Sequence, residues 1–469
     1  MSVILSAKDK ILRSSIVEGL YYSLSPKLIF GDDYTKMRRH LQLSEYWDPM
    51  MIQNYQKNKI KELLIIAYNN VPYYTDLFNS ISFDPRIHFK RLSDLKSIPL
   101  LCRSDVKTSQ EHLINVTYPK HRLFLGSTSG SSGHPLTFYR DIKLDMALET
   151  AFRHHMFKRI GYKPGEKEIV LRGHTFQDNS GTVQISKKQG FKRVLLSSYH
   201  LTNNNLQKYH DTISQFNPKF LWSYPSSAHL LSRLVLSNNY PTFNSIKGII
   251  LASENIYNWQ IDDIQKVFPA ANIIGFYGNS ERNVIASWCQ YSKEYHFEFL
   301  YGFVELLDEF GNEIEKSGEI GEIVVTGFLN KAFPFIRYRT GDLAKYTGDN
   351  CRCGRNHYRV SEIMGRVHER LLTADNRLIP LPTISIHNES FRNVLQIQFE
   401  QNTSKQIIVR IVRSPSFSSY DELTIRNELR KKIGKATQLD FKYVKNIPTS
   451  ARGKHKILIQ NIPNVKLGY

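Results

Sequence analysis

Ile60, Leu63, Leu64 and Ala67 fall at i, i+3, i+4 and i+7 within residues 58–68. That spacing draws one apolar stripe at the 3.6-residue period and predicts an amphipathic helix. Pro72 ends it, because its ring disfavours helical geometry in the preceding Val71. The chain reads as mostly helical up to residue 120. From there to 345, short β-rich runs at 169–172, 220–223, 248–251 and 273–276 alternate with helical ones such as 228–234. Strand–helix alternation predicts a largely parallel α/β sheet, with ligands at the C-terminal ends of its strands. After 295 the signal turns to hairpins: runs at 303–307 and 322–326 flank a Phe310-Gly311-Asn312 turn. Helical periodicity over 420–433 between strand-like 396–399 and 406–410 predicts a small α+β unit, joined near Gly365.

The expected fold is therefore α/β, a large N-terminal part with mostly parallel sheets flanked by helices, followed by a small mobile α+β unit. The expected divisions are residues 1–120 (helical), 121–364 (α/β core) and 365–469 (small C-terminal domain). No internal repeat or low-complexity segment interrupts this pattern. The chain has 469 residues, 41% hydrophobic and 12% aromatic, which excludes a disordered chain and supplies a sizeable core. Its net charge of +20 suits nucleic acid, an anionic membrane face, or anionic small molecules such as ATP and coenzyme A. The basic residues are spread along the chain, and the densest run, 426–432, reads as a solvated helix face. Four cysteines do not make a disulfide framework. Lys8 and Lys10 stand where a signal peptide needs its apolar core, and no apolar run approaches the roughly 18–20 residues of a membrane span. The expectation is a cytoplasmic protein, peripheral to a membrane at most.

Candidate chemistry begins with the stretch Ser127, Thr128, Ser129, Gly130, Ser131, Ser132 and Gly133, closed by Pro135, Leu136 and Thr137. Glycines at positive φ let successive N–H groups face one concavity, and the hydroxyls add rotatable donors, so the loop suits an anion. It lacks G-x-x-x-x-G-K-[ST], and a plain surface turn stays open as the alternative. Four further stretches follow in order: Phe276 to Glu281, Ile336 to Asp342, Met364-Gly365-Arg366, and Thr449 to Lys454. With the loop, they resemble the acyl-adenylate-forming superfamily of acyl-CoA synthetases and adenylation domains. Within it the chain is most similar to the phenylacetate–CoA ligase branch and the capsular polysaccharide CapK group. The Asn70-to-Tyr74 and Ile98-to-Leu101 segments fit that branch as well, so the resemblance covers nearly the whole chain.

The resemblance implies ATP phosphates on the loop, adenine on Tyr277 beside Gly278, the α-phosphate on Ser280 and Mg²⁺ on Glu281. Mg²⁺ prefers carboxylate and phosphate oxygens; a tight turn with an exposed acid is the alternative for Glu281. Many relatives end the loop in Lys, where this chain has Leu136 and Thr137, which places more weight on backbone donors. Asp342 follows a Thr340-Gly341 turn and reads as an unpaired carboxylate for both ribose hydroxyls, whereas Arg337 and Arg339 also fit salt-bridged strand residues. Arg366, beside Gly365, is expected at ribose or phosphate and at the swivel between domains. His368 stands where relatives carry an acid, leaving the pivot open. Lys454 is the candidate for the first step, because an ammonium bridging carboxylate and α-phosphate relieves their repulsion; a surface Lys is the local alternative. Tyr224, Ser253 and Glu254 follow strands facing the same crevice and are the candidates for the acid pocket.

The cysteines suggest a separate site. Cys289, His296, Cys351 and Cys353 supply three thiolates and one imidazole, a closed tetrahedral set suited to structural Zn²⁺. Three buried cysteines and an unrelated surface His are the alternative, and the resemblance to this branch favours the metal. Cys102 lies outside the set. The functional expectation is an ATP-dependent ligase that makes an acyl-adenylate and passes the acyl group to coenzyme A or another acceptor. Its partners are then a carboxylic acid, ATP and the acceptor, not nucleic acid. A basic nucleic-acid-binding protein and an inactive scaffold relative are the competing readings.

Overall fold

The computed structural model describes residues 26–128, 136–142, 144–173, 185–188, 192–348, 351–366, 369–381, 384, 391–448 and 456–462. Ser129, Gly130, Ser131, Ser132, Gly133, His368 and Lys454 lie outside the described residues. Prolines punctuate the N-terminal helices. Helix α1 (Pro26–Ser44) kinks at Gly31, whose φ is 75°. Helix α2 (Pro49–Asn70) starts with proline at its first turn and is capped by Asp48, which accepts from the Met51 N–H at 2.8 Å. It buries Ile52, Ile60, Leu63, Leu64 and Ala67, the stripe expected from their spacing. Val71 is extended, and Pro72 opens α3 (Pro72–Ser80) at once, burying Tyr74 and Phe78.

Strands β1 (Leu123–Ser127) and β2 (Thr137–Asp141) pair as an antiparallel hairpin at the two ends of the Gly/Ser loop. Helix α4 (Glu149–Phe157) follows, and then the central sheet begins. Its first strands are β3 (Glu168–Arg172), β4 (Ile185–Lys188), β5 (Arg193–Ser197), β6 (Phe220–Ser223), β7 (Gly248–Ala252) and β8 (Asn272–Gly278). Strands β5, β3, β6, β7 and β8 are neighbours in that order and all parallel, with β4 antiparallel on the edge. Helices α5 (Leu206–Phe216), α6 (Pro225–Ser237) and α7 (Asn258–Val267) are the crossovers. All five residues of β7 are buried, as a central parallel strand requires.

The hairpin signal after 295 corresponds to the antiparallel half of the same sheet. It contains β9 (Ile285–Trp288), β10 (Tyr295–Phe297), β11 (Gly302–Leu307), β12 (Ile320–Gly327), β13 (Tyr338–Tyr346) and β14 (Arg359–Arg366). The order β11-β12-β13-β14-β10-β9 joins β8 to make twelve strands. The C-terminal unit begins with the two-stranded β15 (Arg370–Leu372) and β16 (Leu378–Pro380). Its sheet holds β17 (Val394–Thr403), β18 (Gln406–Arg413), β19 (Gln438–Tyr443) and β20 (Leu458–Gln460) in the order β19-β18-β17-β20. Helix α8 (Ser419–Ile433) starts at a Ser418/Asp421 capping box and buries Ile425, Leu429 and Ile433. Tyr257 and Trp259, at the start of α7, belong to this unit's apolar cluster with Leu371 and Leu381. No helix among the described residues is long and apolar enough to cross a membrane.

One buried ion pair fastens the N-terminal segment to the antiparallel half. Arg337 is 5% exposed and adopts a left-handed φ of 47°, a conformation a non-glycine residue holds only when its surroundings over-determine it. Its guanidinium donates to Glu305 at 3.1 and 2.8 Å and to the Lys96 and Ile98 carbonyls at 3.1 and 2.7 Å. Leu101 then bonds the backbone on either side of Tyr338, at 3.0 Å each way. Removing one partner strands a buried charge, so Glu305→Ala is expected to destabilise the protein by about 3–5 kcal/mol. Urea unfolding reads this as a lower midpoint, whereas Arg91→Ala, in an exposed pair with Asp94, should leave the midpoint in place.

Candidate functional site

The C-terminal end of β8 and the middle of β13 meet at a carboxylate. Tyr277 donates its hydroxyl to Asp342 Oδ2 at 2.8 Å, and Arg366 Nε lies 3.5 Å from Asp342 Oδ1. Asp342 and Arg366 are register partners of β13 and β14. Asp342 thus departs from its reading as an unpaired carboxylate at a strand-ending turn. Glu322 of β12 pairs with Leu343 while Val324 pairs with Arg339, so residues 340–342 bulge out opposite Ile323. Gly341 supplies the positive φ of 77° the bulge needs, and its N–H donates to Glu322 Oε1 at 3.0 Å. The bulge aims Asp342 at Tyr277 and Arg366. Burial and Asp342 raise the Tyr277 pKa well above the phenol range, keeping it a donor, while Asp342 strengthens the charge on Arg366.

Glu281 is 6% exposed, which rules out the exposed-acid alternative. It accepts from the Tyr338 hydroxyl at 3.0 Å, and burial raises its pKa above the usual carboxylate range. The neighbouring Ser280 carbonyl accepts from Arg140 Nη1 at 2.8 Å, which couples the end of β8 to β2. Ser280 and Tyr277 are half-buried and Gly278 is exposed, so this edge of the cradle is open to a ligand. Ser127 ends β1 in an exposed position, whereas Thr128 is buried at the neck of the Gly/Ser loop. Thr128 Oγ1 accepts from Leu136 N at 2.9 Å and from Arg103 Nη2 at 3.2 Å, and Thr128 N donates to Leu136 O at 2.9 Å. Thr128 therefore staples the loop shut at its base. Arg103, Arg140 and Tyr338 were not legible as site residues, because no local pattern marks a side chain that arrives from another element. Arg337 and Arg339 pair with Glu305 and Glu322, the salt-bridged reading of those two.

The acid-pocket candidates stand at the ends of adjacent parallel strands. Tyr224 follows β6 and is 6% exposed; Ser253 follows β7 in a left-handed conformation with φ of 72°. Glu254 accepts from the Ser226 N–H at 3.1 Å and so caps α6. The structure also brings Arg172, at the end of β3, over the Tyr224 ring at 5.1 Å.

Cys289, His296, Cys351 and Cys353 come together, their ligand atoms all within 4.8 Å of one another. Cys289 follows β9, His296 lies in β10, and the other two sit between β13 and β14. Two thiolates on a tetrahedral zinc with Zn–S of about 2.3 Å stand about 3.8 Å apart. The Cys351 and Cys289 sulfurs are 3.7 Å apart, far beyond the roughly 2.05 Å of a disulfide. His296 is fully buried with neither ring nitrogen hydrogen-bonded among the described residues, and a metal ion would take up one of them. Backbone N–H groups of Tyr291 and Arg355 point to the Cys289 and Cys353 sulfurs at 3.4 and 3.5 Å. The set fits Zn²⁺, with four protein ligands and no position left for substrate.

Residues 371–461 match the family described as the CapK C-terminal domain. Protein CapK of Staphylococcus aureus is 24% identical over 460 residues, spanning 95% of this chain and 97% of that one. A phenylacetate–coenzyme A ligase of Thermus thermophilus is 24% identical over 332 residues, 69% of this chain and 72% of its own. The crystal structure of 2-hydroxyisobutyryl-CoA ligase in the postadenylation state, bound to R3-HIB-AMP, superposes with a TM-score of 0.69. Sequence identity there is 16%, and the match covers 90% of this chain and 92% of the other. Over nearly its whole length the chain is similar to CapK, its C-terminal unit matches the CapK C-terminal domain, and its fold is that of the acyl-adenylate-forming ligases.

The described site residues converge on two centres: Tyr277, Glu281, Asp342 and Arg366 beside the loop base, and the Cys₃His set at the β9–β10 hairpin and the β13–β14 connection. The metal geometry predicts about one zinc per purified chain by elemental analysis. Cys353→Ser should lose the ion and lower the thermal midpoint; a chain that folds normally with no metal would remove the site.

Proposed function

We propose that this chain is an ATP-dependent acid-activating ligase that forms an acyl-adenylate and pyrophosphate, then passes the acyl group to a thiol such as coenzyme A. The observation that carries the reading is the meeting of Tyr277, Glu281, Asp342 and Arg366 beside the base of the Gly/Ser loop, at the C-terminal end of a parallel strand. The names of the phenylacetate–coenzyme A ligase and 2-hydroxyisobutyryl-CoA ligase relatives support the same chemistry. Backbone donors and hydroxyls of residues 127–133 hold the triphosphate; Tyr277 faces adenine; Asp342, held by Tyr277 and Arg366, accepts the ribose hydroxyls. Glu281 is the Mg²⁺ ligand, and the ion neutralises phosphate charge when bound. Ser280 donates to the α-phosphate.

Attack of the acid's carboxylate on the α-phosphate forms the acyl–phosphate bond and expels pyrophosphate. Lys454 offsets the charge that gathers as the two anions meet. Its place beside Gly453 in the C-terminal unit suits a group delivered for the first step and withdrawn for the second. The zinc set is structural, pinning the β9–β10 hairpin to the β13–β14 connection. The CapK relationship points the acyl product toward cell-surface polysaccharide, with the enzyme in the cytoplasm where ATP is available.

ATP–pyrophosphate exchange across a panel of carboxylic acids tests this directly, and exchange with at least one acid is the expected result. Lys454→Ala should cut exchange by about 10²–10³-fold while nucleotide binding, read by fluorescence titration, stays near normal. Exchange with no acid, or a fully active Lys454→Ala variant, would overturn the reading.

A further inference from the structure

Arg172 of β3, Ser197 of β5 and the start of the β6–α6 connection form one row across the parallel sheet. Arg172 pairs in register with Ser197, and Leu171 with Ser223, which places Arg172 beside Tyr224 at the strand ends. The Arg172 guanidinium lies 5.1 Å from both the Trp222 and Tyr224 ring centres. Arg153, from α4, lies over the same Trp222 ring at 5.5 Å. Two guanidiniums therefore share one indole.

Arg153 Nη2 donates to Thr150 Oγ1 at 3.2 Å, but several other buried donors of this group lack acceptors among the described residues. Arg172 Nε, Arg153 Nε, Trp222 Nε1, Ser197 Oγ and Ser198 Oγ are all buried without a hydrogen-bond partner. Buried donors in native proteins are almost always satisfied, so five in one neighbourhood point to a ligand that accepts. The nearby carboxylates have hydrogen-bond partners of their own, although Glu149 and Glu254 also lend favourable charge to Arg153 and Arg172. Glu168 pairs with Arg193, and Glu149 takes Arg282 and the Tyr301 hydroxyl. Glu254 caps α6 through Ser226. Burial brings the Arg172 pKa down to about 10, still charged at neutral pH.

We propose that the acid activated by this chain carries a second anionic group, a carboxylate or phosphate ester, which docks on Arg172 and Arg153 beside Trp222. The proposal rests on the ligase reading and names its substrate class. A guanidinium presents a fork of donors that matches such an anion, and the aromatic rings beneath it fix its plane. A site built around unmet donors rejects an analogue that lacks the acceptor far more strongly than an apolar pocket rejects a missing methylene.

The test is ATP–pyrophosphate exchange by the full chain with matched acids: succinate against butyrate, fumarate against crotonate, 4-carboxyphenylacetate against phenylacetate, and phosphoglycolate against glycolate. The expected result is kcat/KM at least about 100-fold higher for the member with the second anionic group in one or more pairs, and which pair responds separates carboxylate from phosphate. Arg172→Met should shrink that ratio at least about 10-fold, chiefly through KM, with Arg172→Lys retaining part of it. Equal or better exchange with the monoanionic acids overturns the proposal and leaves the ligase reading standing, and so does an unchanged ratio in Arg172→Met. Exchange with no acid of either kind overturns both. The wild-type ratios decide the matter even if Arg172→Met does not fold.

Discussion

The hydrogen bond from Tyr277 to Asp342 is the constraint on which the site depends, because it joins strands that are not neighbours. In the sheet, β8 and β13 are separated by β9, β10 and β14. Four strand spacings in a flat sheet amount to roughly 19 Å. A 2.8 Å contact across that interval requires the antiparallel half to curl back toward the parallel half. The Tyr338–Glu281 bond closes the same gap a second time. Aromatic rings fill the inside of the curl, Tyr277 against Phe297, Phe297 against Tyr358, and Tyr358 against Tyr346. Bulges let strands bend this way without losing their ladders: three residues of β13 stand opposite one of β12.

Curling also explains the placement of the Cys₃His set. A sheet that bends strongly has short strands at the bend, and β9 and β10 contain four and three residues. Such strands contribute few ladder bonds. A metal crosslink from the β9–β10 hairpin to the β13–β14 connection would hold a region whose backbone pairing is thin, which is the use of a closed four-ligand site. Arg337 and Glu305 serve the opposite edge, where the N-terminal segment meets β11 and β13.

The electrostatics of the two halves of the crevice differ. Around Asp342 and Glu281, each acid has a tyrosine donor, and Arg366 balances the pair without neutralising the open edge at Ser280 and Gly278. Around Trp222 two guanidiniums share one ring, and several buried donors lack an acceptor among the described residues.

Much of this was legible in the one-dimensional pattern. The α2 stripe, the strands at 169–172, 220–223, 248–251 and 273–276, and the α8 periodicity follow from local rules of spacing and capping. The motif order, through its resemblance to the acyl-adenylate-forming superfamily, pointed to Tyr277, Glu281, Asp342 and Arg366, which the structure brings together. Local sequence misjudged Asp342, whose partners come from β8 and β14, and gave no sign of Arg140, Arg103, Tyr338 or Arg172. Those side chains act through neighbours 25 to 140 residues away along the chain, as Arg103–Thr128 and Arg140–Ser280 show. Sequence alone determined which elements form and which chemical groups are present, since both depend on nearest neighbours and residue type. Tertiary structure decided which groups meet, because the curl of a twelve-stranded sheet is a collective property that no short window of residues contains.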